Sequence, residues 1–379
     1  MPDKETRIII FQVLLFVITL ITTTLAGTEW IYGRFFFLNE DGIGWNNWLT
    51  SAKLLEGLKF SVPFLVILTV HEFGHYFTAK WYKVKVTLPY YIPFWFGLGN
   101  ALGTMGAFIR IKETIKSRKE YFDIGLAGPL SGFIVAMGVL WYGFTHLPPV
   151  EYIFSIHPEY QKFGSDYAAH VYNSVEGSFY LGKNLVFWFF ENYIADPALV
   201  PNKYEMMHYP FIFAGFLACF FTALNLMPIG QLDGGHILYG LVGEKRHSYI
   251  SLGLFVVFVF YAGLGMVTPY QVEHIFDTDV LIYLLLLYFM FSKVGGTFKN
   301  TFLIAFGILT IQFATSYFFP NLKGYNGWMF FAFILGRFLG IFHPKAELDQ
   351  PLGWKRKALG WLSLAIFIVC FTPTPFVFE

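Results

Sequence analysis

The sequence predicts an all-α polytopic membrane protein of about nine transmembrane helices, with a short membrane-associated β-hairpin after the second. Three observations carry that expectation. Hydrophobic residues make up 56% of the chain and charged residues 13%, against roughly 25% charged usage in soluble domains. Nine apolar runs are long enough, or nearly so, to cross about 30 Å of hydrocarbon. The basic clusters recur at loops that alternate across these runs, as membrane charge bias requires.

The runs lie near residues 8–26, 58–77, 124–144, 209–227, 250–267, 280–291, 302–319, 328–342 and 359–373. The first closes on Thr24-Leu25-Ala26, so it reads as a retained anchor, which its length favours, or as a signal peptide with a small-residue cleavage site. The rest of the topology is the same either way. Lys80, Lys83, Lys85, Arg110, Lys112, Lys116, Arg118 and Lys119 crowd the segment after the second run, which assigns it, and hence the N-terminus, to the cytoplasm. Alternation then puts Lys245-Arg246, Lys293, Lys299 and Lys355-Arg356-Lys357 inside and the acid-rich segments 151–196 and 273–279 outside. Within the first cytoplasmic segment, Thr104, Gly106, Phe108 and Arg110 alternate after several glycines. That pattern reads as a strand whose edge can pair with an extended peptide, or as a plain hairpin.

Composition also excludes function classes. A net charge of +1 leaves no basic excess for nucleic acid. Cys219 and Cys370 both sit in apolar runs, so neither a disulfide framework nor a thiolate zinc site is implied. Metal ligands must be histidine or carboxylate.

One pentapeptide meets that requirement, His71-Glu72-Phe73-Gly74-His75 in the second run. Histidines four apart on a helix point the same way and can share one Zn²⁺, with the intervening Glu beside the open position of the metal. Ionisable groups within a span are costly and are normally paired, metal-bound or lining a wet cavity. A catalytic zinc takes three protein ligands, so a third must come from elsewhere. The best supply is Asn225-Leu226-Met227-Pro228-Ile229-Gly230-Gln231-Leu232-Asp233-Gly234-Gly235-His236, where Pro228 and the glycines break the fourth helix. Irregular backbone at membrane depth survives only where protein or a cavity shelters it. Asp233 and His236 are the candidate donors, and the charge rule places both motifs at the same side.

HEFGH joined with NLMPIGQLDGGH resembles the site-2 protease family of intramembrane zinc metalloproteases. Gly99-Asn100 and Gly103-Thr104-Met105-Gly106-Ala107-Phe108-Ile109 are similar to the glycine-rich loop and membrane-associated strands of that family, and Ala127-Gly128-Pro129-Leu130-Ser131-Gly132 to its third-helix motif. The resemblance runs from about residue 58 to 240. It implies Zn²⁺ held by His71, His75 and Asp233, rather than His236, with Glu72 as general base. It implies further that Asn225 holds substrate or steadies an oxyanion, where interhelical hydrogen bonding is the plain alternative. Asn100 lines the substrate path or is simply a turn residue, and Gly103 and Gly106 lie on the strand that receives substrate.

The expected organisation is an N-terminal anchor and outer loop over 1–53, a catalytic core over 54–240 and a C-terminal membrane region of about five spans over 241–379. The expected activity is hydrolysis of peptide bonds in or near transmembrane segments, with the active site toward the cytoplasm. Expected partners are transmembrane protein substrates and the lipid bilayer; the sequence names no particular substrate and no oligomeric state. A non-peptidase homologue that binds membrane clients is a rival, opposed by the intact Glu72 and ligand set. A divalent metal transporter is another, but it leaves Glu72 unexplained and calls for repeats and paired broken helices that the chain lacks. His146, His157, His170, His208 and His274 fall on the outer side and read as surface or interfacial residues.

Overall fold

The structure, a computed structural model, describes residues 3–39, 42–99, 101–172, 178–272 and 277–378. Among the described residues, six helices are long and apolar enough to cross a membrane: Lys4–Tyr32, Ser51–Trp81, Arg118–Thr145, Glu244–Gly263, Thr278–Gly295 and Phe298–Phe318. The protein is a multi-pass membrane protein. Three of the expected spans take shorter helices, Pro210–Leu226, Trp328–Leu339 and Trp354–Cys370. The first and last of these have 17 residues each, about 25 Å of helix at 1.5 Å per residue. The strands form three two-stranded sheets among the described residues, so the chain is mostly rather than wholly helical.

The chain divides into two compact units, one of Met1–Ile115, Leu126–Asn225 and Ala365–Glu379, the other of Lys116–Gly125 and Leu226–Leu364. In the first, α1 (Lys4–Tyr32) starts where the Asp3 side chain accepts from the Thr6 amide at 2.7 Å and ends at Gly33 with φ 61°. Ile10, Phe11, Val13, Leu14 and Ile21 stand exposed along it, an apolar stripe suited to lipid. A short pair, β1 (Leu38–Asn39) and β2 (Gly42–Ile43), leads to α2 (Ser51–Glu56) and α3 (Leu58–Trp81). Small residues let α1 and α3 approach closely. A Cβ at Gly57 would fall 2.2 Å from the Thr24 carbonyl oxygen, and the Thr24 and Ser61 hydroxyls bond across the gap at 2.8 Å.

β3 (Tyr90–Phe94) and β4 (Gly103–Phe108) follow as an antiparallel pair, Tyr90 opposite Phe108 and Phe94 opposite Gly103. α4 (Arg118–Thr145) enters this unit at Leu126. Between α4 and α8 (Pro210–Leu226) the chain forms α5 (Glu151–Ile156), a 3₁₀ stretch Pro158–Asp166, α6 (Tyr167–Val171), β5 (Phe179–Leu181), α7 (Leu185–Tyr193) and a second 3₁₀ stretch Lys203–His208. β6 (Phe376–Phe378) returns to pair with β5. Phe60, Phe144, Phe187, Phe213 and Phe216 are fully buried, and Phe60 stacks on both Phe64 and Phe213 at 5.3 Å.

The second unit holds α9 (Asp233–Val242), α10 (Glu244–Gly263), α11 (Thr278–Gly295), α12 (Phe298–Phe318), α13 (Trp328–Ile334) running into a π turn Leu335–Leu339, and the first part of α14 (Trp354–Cys370). Gln312 of α12 accepts from Tyr283 at 2.9 Å and donates to the Phe260 carbonyl at 3.1 Å, joining α10, α11 and α12 through one buried polar group. The Arg356 guanidinium grips Asp123 with bonds of 2.8, 3.1 and 2.9 Å.

Candidate metal centre

α3 carries the proposed chemistry in its second half. Apolar residues, many of them β-branched or aromatic, fill the helix, Pro63 sits near its start, and a left-handed residue, Lys83 at φ 59°, turns the chain after its end. The Val84 amide closes on the Ala79 carbonyl at 2.9 Å and the Lys83 amide on the Lys80 carbonyl at 2.9 Å, the pattern that satisfies a terminating helix.

His71, Glu72 and His75 are all buried. The two Nε2 atoms lie 3.1 Å apart with the rings nearly edge to face. A tetrahedral ion with bonds of about 2.0–2.1 Å separates its ligand atoms by about 3.3 Å, so the pair is spaced to share one. Space beside the rings is kept by glycine on α4. A Cβ at Gly128 would lie 2.1 Å from His75 Nε2, and one at Gly132 would lie 3.1 Å from His71 Cβ. Gly74 does the same from α3, since its Cβ would meet the Ala127 carbonyl and the Ser131 hydroxyl at 2.6 Å. Ser131 donates back to the Val70 carbonyl at 3.1 Å, one residue before the motif. The segment Ala127–Gly132 is therefore the packing partner of HEFGH.

The β3–β4 hairpin is fixed beside this stretch by Tyr91, whose hydroxyl bonds Thr69 Oγ1 at 2.8 Å. Gly103, at φ 81°, packs so tightly on α1 that a Cβ would come within 2.3 Å of Thr23 Cα, and its carbonyl accepts from Thr22 at 2.6 Å. Gly106, at φ 104°, sits where the register slips between Tyr91 and Pro93, with its amide donating to Thr104 Oγ1 at 3.0 Å. That bulge interrupts the simple alternation expected through Phe108. Asn100 lies outside the described residues, and Asn225 is the penultimate residue of α8.

In the other unit, the Pro228 break is tightly built. Gly230, at φ 62°, donates its amide to Ser251 Oγ at 2.9 Å, and that hydroxyl donates to the Ile341 carbonyl at 2.6 Å. A Cβ at Gly234 would lie 1.9 Å from the Leu226 carbonyl oxygen. Asp233 is the first residue of α9, where the helix dipole favours an ionised carboxylate. His236 is engaged elsewhere, with Nδ1 2.7 Å from His343 Nε2 and its ring stacked on Tyr121.

The outer histidines depart from their sequence reading in one place. His146 is exposed and stacks on its helical neighbour Tyr142, and His170 is exposed on α6; His274 lies outside the described residues. His208, however, is buried with Glu205, and both lie beside His157. Glu205 and His208 are three apart in a six-residue 3₁₀ turn, too short for periodicity to signal their burial.

Peptidase family M50 matches residues 59–269 of the chain. Similar curated proteins include the probable zinc metalloprotease EGY1, chloroplastic, of Oryza sativa subsp. japonica, 32% identical over 214 residues, which are 53% of this chain and 32% of the relative. The EGY1 protein of Arabidopsis thaliana is 29% identical over 206 residues, 53% of this chain and 33% of the relative. The probable zinc metalloprotease EGY2, chloroplastic, of Oryza sativa subsp. indica is 25% identical over 236 residues, 58% and 38%. The chain thus spans about a third of the length of the curated relatives it matches. No solved structure matches.

Proposed function

The chain belongs to peptidase family M50, and from that membership and the buried His71–His75 pair we propose that it is an intramembrane zinc endopeptidase cutting in or near transmembrane segments of other membrane proteins. The carrying observation is the pair of Nε2 atoms 3.1 Å apart, on a helix apolar enough to span a membrane, with a buried carboxylate between them in sequence. The names of the relatives, probable zinc metalloproteases, support the choice of metal.

In this reading His71, His75 and Asp233 hold Zn²⁺, a donor set of two neutral imidazoles and one carboxylate that suits zinc and leaves a position open. Bound there, the ion supplies Lewis acidity toward the scissile carbonyl and draws the pKa of a coordinated water toward about 7. Glu72 takes the proton of the attacking water and returns it to the leaving amine. Gly128 and Gly132 keep α4 from crowding the imidazoles, so both rings can aim at one point. A helical substrate must unwind before its peptide bond is open to water, and its freed backbone then needs partners. The β4 strand around Gly106, where an added Cβ would meet nothing within 4 Å, offers them by strand addition, while Gly103 anchors that strand to α1 and the Asn225 amide holds the substrate carbonyl. The lysines and arginines from Lys80 to Lys119 support a cytoplasmic N-terminus and active site.

The test is cleavage of a tagged transmembrane substrate in co-expressing cells, wild type against Glu72→Gln, with the zinc content of each purified protein recorded. Lost cleavage with zinc retained is the expected result. Equal cleavage by both proteins, or zinc absent from both, would sink the reading. Substrate capture without cleavage by the wild type would favour the client-binding rival.

A further inference from the structure

We propose that His157, Glu205 and His208 form a second divalent-cation site, suited to Zn²⁺, outside the membrane-spanning helices. One ligand atom from each lies within 4.8 Å of the others. His157 Nε2 and His208 Nε2 are 3.4 Å apart, and Glu205 Oε2 is 3.4 Å from His208 Nε2. These are close to the roughly 3.3 Å edges of a tetrahedron built on zinc bonds of about 2.0–2.1 Å.

Each candidate ligand is oriented by a partner behind it, the arrangement that fixes tautomer and aim at metal sites. His208 Nδ1 lies 2.8 Å from the Ile31 carbonyl oxygen; a carbonyl only accepts, so the proton sits on Nδ1 and the Nε2 lone pair faces the cluster. His157 Nδ1 lies 3.4 Å from a Glu159 carboxylate oxygen, which leaves its own Nε2 lone pair pointing inward. Tyr172 donates its hydroxyl to Glu205 Oε1, which leaves Oε2 for the cluster. Glu205 is fully buried, and Oε2 has no hydrogen-bond partner. Three lone-pair donors turned toward one another in a buried place repel unless a cation or a shared proton lies among them, and metal content separates the two.

His157 keeps 24% of its side chain exposed, which leaves an approach for the ion and for a water as fourth ligand.

The cluster is remote from His71. Gly57 of α3 abuts Thr24 of α1, and Tyr91 touches both Thr69 and Phe16, so the two helices run antiparallel. Seven residues of α1 from Thr24 to Ile31, and fourteen of α3 from Gly57 to His71, at 1.5 Å each give a separation of about 30 Å. An ion there would tie the 3₁₀ turn leading α8 to the start of the Pro158–Asp166 stretch and, through Ile31, to the end of α1. Its role is to staple the segment between α4 and α8, and it stands independently of the catalytic reading.

The experiment measures metal per chain by plasma mass spectrometry on the whole purified protein, as wild type, as the double variant His71→Ala/His75→Ala, and as His157→Ala and Glu205→Gln. Two equivalents are expected in the wild type and one in each variant, with substrate cleavage retained by His157→Ala and Glu205→Gln. Folding is checked by a monodisperse elution profile. Co²⁺ added to the double variant is expected to give a tetrahedral d–d absorption band that His157→Ala abolishes. One equivalent in the wild type that disappears in His71→Ala/His75→Ala would overturn the second site and leave the catalytic one standing. A metal load unchanged by His157→Ala and Glu205→Gln would overturn it as well. A load unchanged by His71→Ala/His75→Ala but reduced at 157 and 205 would uphold the second site and refute the catalytic one.

Discussion

Gly128→Ala is the most direct perturbation of the proposed centre, because it adds one methyl group without touching a ligand. The new Cβ would sit 2.1 Å from His75 Nε2, 2.5 Å from Cδ2 and 2.5 Å from Cε1. No carbon–nitrogen contact survives at that distance, and van der Waals separation is about 3.5 Å, so the ring or α4 must move by more than 1 Å. Turning the ring away removes its Nε2 from the His71 pair. Overpacking of this kind costs about 1–3 kcal/mol, and misplacing an oriented ligand lowers metal affinity about 10–100-fold. Two other glycines of α4 grade the effect. Gly132→Ala meets His71 Cβ at 3.1 Å, a clash of a few tenths of an ångström, and is expected to weaken zinc by less than about threefold. Gly138 has nothing within 4 Å, so Gly138→Ala is expected to leave zinc and cleavage unchanged and to stabilise α4 by about 0.5–1 kcal/mol. The assay is zinc affinity by competition with a coloured chelator, with cleavage of a model transmembrane substrate at limiting zinc. A Gly128→Ala protein that binds zinc within twofold of wild type, or a series that fails to rank 128 above 132 above 138, would refute the packing argument.

Removing the metal with excess 1,10-phenanthroline should abolish cleavage, and Zn²⁺ but not Mg²⁺ should restore it, since a site of imidazoles and one carboxylate prefers the softer ion; rescue by Mg²⁺ would count against zinc. Lys83 holds a left-handed φ of 59° at the end of α3, which costs a side-chain-bearing residue about 1–2 kcal/mol. Lys83→Gly should therefore raise the thermal midpoint by about 1–2 °C, and an unchanged or lower midpoint would contradict the assigned turn. Gly106→Ala places a Cβ at φ 104°, a strain of about 1–3 kcal/mol. Amides of β3 and β4 should then exchange at least about fivefold faster while those of α4 do not, and equal exchange would mean that the bulge is elsewhere.

Local signals in the sequence were reliable where one element sufficed. His71 and His75 are four apart, so helical periodicity alone placed them on one face, and the apolar run around them marked the span. The first, second, third, fifth, sixth and seventh apolar runs fall in helices that qualify by length and hydropathy. The runs at 209–227, 328–342 and 359–373 were harder to read because a hydropathy window ignores where backbone bonding stops. Pro228, the π turn at Leu335–Leu339 and Gly340 with φ 84° shorten or distort helices whose composition continues. Gly128 and Gly132 could be singled out only through a family motif. Their meaning depends on what lies across the α3–α4 contact, which no window along the chain contains. His157 and His208 are 51 residues apart, and nothing along the segment between them pairs the two until the end of α1 is packed beside His208.

That dependence on α1 extends to the candidate centre. Read from hydropathy, the first run is an anchor; in the structure it is a clamp. Gln12 donates to the Leu88 carbonyl at 2.6 Å, Thr22 to Gly103 at 2.6 Å and Trp30 to Ala101 at 2.9 Å, so three successive levels of α1 hold the two strands and their approaches. Glu29, on the same turn as Trp30, adds a further bond by accepting from Trp95 at 2.8 Å. The same helix takes α3 at Gly57 and Ser61 through backbone contact that tolerates no side chain on Gly57. Hydrogen bonds between membrane helices contribute on average only about 0.6 kcal/mol each, so their value lies in register rather than in strength. A slip of α3 by one residue along α1 would move His71 about 1.5 Å against a hairpin that α1 also fixes. Glycine at 57 and 103 and threonine at 22 and 24 thus set the depth of the His71–His75 pair relative to the strand edge.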